Sequence, residues 1–284
     1  MNVSTDSISF NISLLFKSKH PGYLFKAVYL IIKRNRIGEL LFGFYNFVFH
    51  KPSTVKFHSK RLISKMLEEH KNFISAEDYL SRKTLILIYG KNYAVNLLPD
   101  DFAGARPESV LQSKGALVIG EYGVSNKRIF YVNQSSCKVS DFYSNNKAVR
   151  HIHAVNNNIN EGELLITTGD AGKYLDLWCT HEKNVVFKKR LRKKLAGYTA
   201  ITILNNICYM GSDFTSRPNY IVTLNNKKFF FPKKAYKMYV VKFKTYQNRY
   251  ILSVNAELPY FGYKQTVSVF DSLSNSFVFC EYVE

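Results

Sequence analysis

Leu117-Val-Ile-Gly-Glu121, Leu165-Ile-Thr-Thr-Gly-Asp170, Ile207-Cys-Tyr-Met-Gly-Ser-Asp213 and Ile251-Leu-Ser-Val-Asn-Ala-Glu257 are four apolar runs that each end on an acidic residue. The acids stand at positions 121, 170, 213 and 257, a repeat of 43 to 49 residues. Short strands recurring at such a period mark β-propeller blades, with four strands to a blade. Working outward from the runs gives four blades, at residues 110–144, 149–191, 198–233 and 236–283. Upstream, Leu85-Ile-Leu-Ile-Tyr89 and Tyr93-Ala-Val-Asn-Leu97 flank Gly90-Lys-Asn, a hairpin signal. That hairpin is expected to supply half of a fifth blade and to close the ring with the C-terminal strands. The expectation is a mainly β chain: a five-bladed propeller over 84–284, preceded by a helical, basic segment over 1–83. A sixth blade follows if part of 50–80 is extended.

The bulk composition suits packed sheets. Of 284 residues, 20 are Tyr and 22 are Phe, wide side chains that fill sheet faces. A net charge of +19 draws polyanions: nucleic acid, anionic lipid headgroups or acidic polysaccharide. The excess is +8 in residues 1–83 and +11 in the remainder, so no single tail carries it. A codon bias toward Lys and Asn gives the same excess without function, and both readings stand. Cys137, Cys179, Cys208 and Cys280 form no C-x-x-C pair, which argues against structural zinc and for buried free thiols. Met1-Asn-Val-Ser-Thr-Asp6 has neither the basic nor the apolar part of a secretion signal, so a cytoplasmic location is expected.

Within the N-terminal segment, Leu24–Ile32 and Leu40–Phe49 are strongly apolar, and Lys33-Arg-Asn-Arg36 interrupts them. Neither reaches the roughly 20 residues that span a bilayer. They read either as helices packed on the propeller or as interfacial helices with a basic rim on an anionic membrane. Leu62, Ile63, Met66, Leu67, Phe73 and Ile74 recur at helical spacing, which marks a connector helix, and Ser75-Ala-Glu-Asp78 has the form of a capping box.

The densest chemical cluster is Arg150-His-Ile-His-Ala154, followed by Thr167-Thr-Gly-Asp170. In the drafted blade, His151 and His153 open the innermost strand and Asp170 closes the second. Antiparallel pairing then sets both motifs on one face of the disc near its axis. Glu121, Asp213 and Glu257 are expected to ring the same face. Two imidazoles with carboxylates suit a divalent metal, with His151, His153 and Asp170 as ligands. They equally suit acid and base roles in sugar chemistry. Arg150, Arg217 and Asn219 lie near the same rim and suit carboxylate or hydroxyl groups of a substrate. A structural reading stands beside the functional one, because acids at propeller strand ends also hold turn amides of the next blade.

Lys188-Lys-Arg-Leu-Arg-Lys-Lys194 is the sharpest charge run, read as a phosphate- or lipid-binding edge or as a solvated outer strand that blocks sheet pairing. Nucleic acid is not the expected partner, since no reading module is recognisable. There is no Walker loop, G-x-G-x-x-G, G-x-S-x-G or H-E-x-x-H.

The turns expected between the last two strands of each blade are Asn133–Ser136, Thr180–Asn184, Asn225–Lys228 and Asp271–Asn275. Aromatics follow at Phe142, Phe187, Phe229 and Phe277. Together with Gly120-Glu-Tyr122, Arg150–His153, Gly211-Ser-Asp213 and Pro218-Asn-Tyr220, this pattern over about 84–284 resembles bacterial sialidase/Asp-box-like propellers. No turn has the full Ser-x-Asp-x-Gly-x-x-Trp form, and the arginine cluster and nucleophilic tyrosine of sialidases have no place here. The resemblance therefore implies the fold and a carbohydrate context, not the sialidase reaction. The leading expectation is a propeller that binds or modifies a carbohydrate or anionic glycan, in surface-polysaccharide production. The alternative is a non-catalytic scaffold held to an anionic membrane or a membrane-bound enzyme by its basic N-terminal helices. Whether the chain is an enzyme stays open at this point.

Overall fold

A computed structural model of the protein describes residues 51–56, 59–72, 79–123, 126–169, 172–192, 197–214, 218–256 and 264–283. The apolar stretches at 24–32 and 40–49, the capping box at 75–78, and Asp170, Arg217 and Glu257 lie outside them. Two helices come first, α1 (Lys60–Glu69) and α2 (Arg82–Tyr89). Four antiparallel sheets of four strands follow. Blade 1 holds β1 (Ala105–Ser113), β2 (Ala116–Glu121), β3 (Ile129–Val132) and β4 (Cys137–Ser140). Blade 2 holds β5 (Ile152–Asn157), β6 (Glu163–Thr168), β7 (Leu175–His181) and β8 (Asn184–Arg192). Blade 3 holds β9 (Tyr198–Leu204), β10 (Ile207–Ser212), β11 (Tyr220–Thr223) and β12 (Lys228–Phe230). Blade 4 holds β13 (Tyr239–Tyr246), β14 (Tyr250–Ala256), β15 (Gln265–Asp271) and β16 (Ser276–Tyr282).

Among the described residues the blades are therefore four, not five. The expected leading hairpin is α2 and a 3-10 turn at Val95–Leu97. The helix wins because Ser81 caps it, its Oγ accepting from the Thr84 N–H at 3.1 Å. The spacing of Leu85 and Tyr89 then sets both toward one side, with Leu85 fully buried. Elsewhere local chemistry fits the strands. Asn205-Asn206 take positive φ at both positions, as a two-residue hairpin requires, and Gln247-Asn248 do so in a three-residue turn. They reverse the chain between β9 and β10 and between β13 and β14.

Successive blades pack face to face through apolar cores. Val118 and Ile129 of blade 1 meet Ile152 and Val155 of blade 2. Leu165 and Leu177 meet Ile201 and Met210 of blade 3, and Tyr209 and Ile221 meet Ile251 and Phe270 of blade 4. Two faces are left over at the ends of this series, and both are covered by non-β chain. Leu85, Val95 and Leu98 lie on Leu117, Ile119 and Phe130 of blade 1. Ile63 and Met66 of α1 lie on Leu252, Val269 and Val278 of blade 4. The Arg106 Nη2 donates to the Val241 carbonyl at 2.9 Å and so ties blade 1 to blade 4.

One irregularity recurs in each blade where its first strand pairs with its second. The register slips between Ala105 and Val110, across His153, across Thr199, and across Val241. Such bulges bend a strand and re-aim a side chain. All four fall at the same end of the blades, where β2, β6, β10 and β14 finish. Among the described residues no helix is long and apolar enough to cross a membrane.

Candidate functional site

His151 directly precedes β5, and His153 is the bulged residue of that strand. Their Nε2 atoms face each other at 2.8 Å, with ring centroids 4.7 Å apart. Tyr122, just beyond β2, lies on His151 at 4.1 Å between centroids. The guanidinium carbon of Arg106 is 5.7 Å from the Tyr122 ring centre. Gly169 covers the pair from the end of β6, its N–H donating to the His151 carbonyl at 2.9 Å. A Cβ there would stand 2.0 Å from His153 Nε2 and 2.6 Å from His151 Nε2, so the glycine of the Gly-Asp motif makes room for the imidazoles.

Blade 3 completes the cluster. Asp213 Oδ2 is 3.6 Å from His153 Nδ1 and 3.5 Å from Lys173 Nζ. Lys173 also donates to the Asp213 carbonyl at 2.7 Å. His153 Nδ1 is buried and makes no hydrogen bond. A proton on that nitrogen faces a carboxylate, and a bare lone pair there would be repelled by it. The favoured arrangement thus has His153 protonated at Nδ1, with its Nε2 accepting from His151 Nε2–H. Burial pushes the His153 pKa well below the ordinary histidine value, and His151, Arg106 and Lys173 push the same way. Burial of Arg106 disfavours its charge, yet Glu108, Tyr122, Tyr239 and Asp213 outweigh this and raise its pKa. The result is a His153 imidazole held neutral among cations, with one carboxylate behind it.

Of the residues expected on this face, the structure brings His151, His153 and Asp213 together. Arg150 is half-buried beside them in sequence. Glu121 lies in a different cluster: its carboxylate accepts from Arg128 Nε and Nη2, each at 2.8 Å, from the Ala103 N–H at 2.9 Å and from the Arg128 N–H at 3.3 Å. With four donors on a fully buried side chain, it ties the end of β2 to the preceding loop. Asn219 is also fully buried. It accepts from Ser212 Oγ and the Phe214 N–H and donates to the Phe214 carbonyl, a staple across the β10–β11 connection. Asp170, Arg217 and Glu257 lie outside the described residues.

Arg106, Lys173, Tyr122 and Gly169 complete the cluster, and only the last two stood in a motif. Nothing in the sequence singled out Arg106 or Lys173, because each acts on a residue of another blade. Three basic residues of the charge run, all on β8, are engaged in the fold, and Lys193 and Lys194 lie outside the described residues. Lys188 pairs with Glu163 at 2.6 Å, Arg190 with Asp176 at 2.8 Å, and Arg192 donates to the Leu224 carbonyl at 2.6 Å. As for a metal, no group of three His, Cys, Asp or Glu ligands is gathered among the described residues. Arg106 and Lys173 also set positive charge beside the two imidazoles.

No family model matches this sequence, and no curated protein does. Among solved structures, the chain is similar to the N-terminal domain of Nup159, at 9% identity and a TM-score of 0.34. The match covers 59% of this chain and 45% of that one. A similarity this low carries no functional argument. The propeller reading rests on the four sheets themselves, and the sialidase/Asp-box resemblance gains no support from sequence.

Proposed function

We propose that this chain is a carbohydrate-handling propeller whose ligand, an anionic glycan, sits over the His151–His153 pair. The observation that supports the reading is a buried, hydrogen-bonded imidazole pair, with His153 held neutral, flanked by Arg106 and Lys173 and backed by Asp213. A neutral imidazole accepts a proton from a ligand hydroxyl, and Asp213 offsets the charge that results. The cations suit a sugar carboxylate. The same arrangement serves a binding module without turnover, so the first question is binding.

The test is calorimetric titration of the full chain with uronic-acid oligosaccharides, sialic acid and their neutral counterparts, beside His151→Ala/His153→Ala. Expected is binding that prefers the acidic sugars and is lost in the variant, while the variant unfolds cooperatively like the parent. A folded parent that binds none of these sugars overturns the reading.

A further inference from the structure

Helix α2 turns an apolar surface outward. Leu85 is its buried anchor, while Leu87 and Ile88 are 74% and 55% exposed and Ile86 is exposed as well. Leu97, on the turn that follows, is 51% exposed. A solvated helix facing only water places polar residues there. Lys83, four residues before Leu87 on the helix, and Lys91, in the turn just after it, are both exposed and flank the apolar residues at the two ends. The acids of the loop that follows are already engaged: Asp100 pairs with Arg82, and Asp101 pairs with Arg128 at 3.0 Å. Next to this surface runs a polar groove of about 510 Å³, lined by Lys91, Asn92, Asn96, Leu97, Gln134 and Ser135. Apolar side chains between lysines, continuous with a basic and amide-lined groove, match the layers of a bilayer surface. The apolar groups enter the acyl boundary, and the cations meet phosphates.

We infer that α2 and the turn after it form a membrane-docking surface for anionic phospholipid, with Leu87, Ile88 and Leu97 inserting while Lys83 and Lys91 meet headgroups. The net charge of +19 supplies the long-range attraction. This surface is separate from the His151–His153 cluster and stands whether or not a glycan binds there.

The test is co-flotation of the full chain with vesicles of phosphatidylcholine and phosphatidylserine in equal parts, and of phosphatidylcholine alone. The variants are Leu87→Glu/Ile88→Glu and Lys83→Glu/Lys91→Glu, all at exposed positions. Circular dichroism confirms that each is folded, and light scattering gives its mass. Expected is binding that needs phosphatidylserine and falls roughly tenfold or more in each variant. Three results overturn the proposal. The parent fails to float with either vesicle; the variants bind as the parent does, which assigns binding to another segment; or the parent self-associates through Leu87 and Ile88 without vesicle binding.

Discussion

His153 is a base held neutral by its surroundings, and this has a measurable consequence for stability. Its folded pKa is pushed well below 6.5 by burial and by His151, Arg106 and Lys173. In the unfolded chain it titrates near 6.5. As pH falls below that value the unfolded state takes up a proton that the folded state refuses, so stability drops on acidification and is flat above it. Thermal melts between about pH 7 and about pH 5 should therefore decline more steeply for the parent than for His153→Gln. Equal slopes would mean that the imidazole is protonated in the fold. Asp271 moves the same way at lower pH: burial raises its pKa, but Arg249, Leu273 and Ser274 outweigh this and bring it to about 2. Its contribution is present above the ordinary carboxylate value and is lost as pH falls toward 2, a window below that of the histidine. Glu121 offers a second test at this scale. Replacing it by Ala leaves Arg128 with only part of its carboxylate environment and should cost about 3 kcal/mol. A variant as stable as the parent but defective in ligand binding would return Glu121 to the site.

At the scale of elements, the blade boundaries were legible and the bulges were not. The repeat of apolar runs gave residues 110–144, 149–191, 198–233 and 236–283, each enclosing most of one observed sheet. It worked because second strands such as β2 and β14 are buried along their whole length and read as continuous apolar runs. The run Leu85–Tyr89 reads the same way, yet it is helical. The signal that separates the two is one serine at its start, weaker to the eye than five apolar residues. The bulge at His153 left no mark in the sequence, since a register slip depends on the partner strand. Glycines at the ends of second strands did have a legible spacing, but their reason is tertiary. A Cβ on Gly120 would lie 2.5 Å from Ile152 Cγ2, and one on Gly211 would lie 2.5 Å from Val240 Cγ1. Each glycine admits the first strand of the next blade. Gly211→Ala should thus cost about 1–3 kcal/mol by overpacking. Gly211→Ala/Val240→Ala should cost less than the sum of the single changes, because truncating the valine vacates the space. Strict additivity in denaturant unfolding would show that the two residues do not compete for one volume.

At the scale of the molecule, four blades leave two apolar faces without a blade to cover them, and the chain N-terminal to β1 supplies both covers. A fifth blade was expected from the hairpin signal at 85–97, closing the ring with the C-terminal strands; the structure has α2 and a 3-10 turn there instead, packed on blade 1. α1 and α2 each pack on an end blade of the propeller. Met66 is fully buried against blade 4, and Leu85 is fully buried against blade 1. Truncating either to Ala leaves a cavity in a sheet-covering core and should cost about 2–5 kcal/mol. Arg106 joins the two end blades directly through the Val241 carbonyl, so its loss weakens that link. The decisive measurement is calorimetric unfolding of Met66→Ala and Leu85→Ala. If the helical covers belong to the propeller, each variant melts in one transition, shifted down by several degrees. If they are appendages, the transition splits, with an early step for the helices and an unchanged one for the blades. The first outcome would tie the helical covers to the site as well, because Arg106, which joins the two end blades through the Val241 carbonyl, also lies against Tyr122.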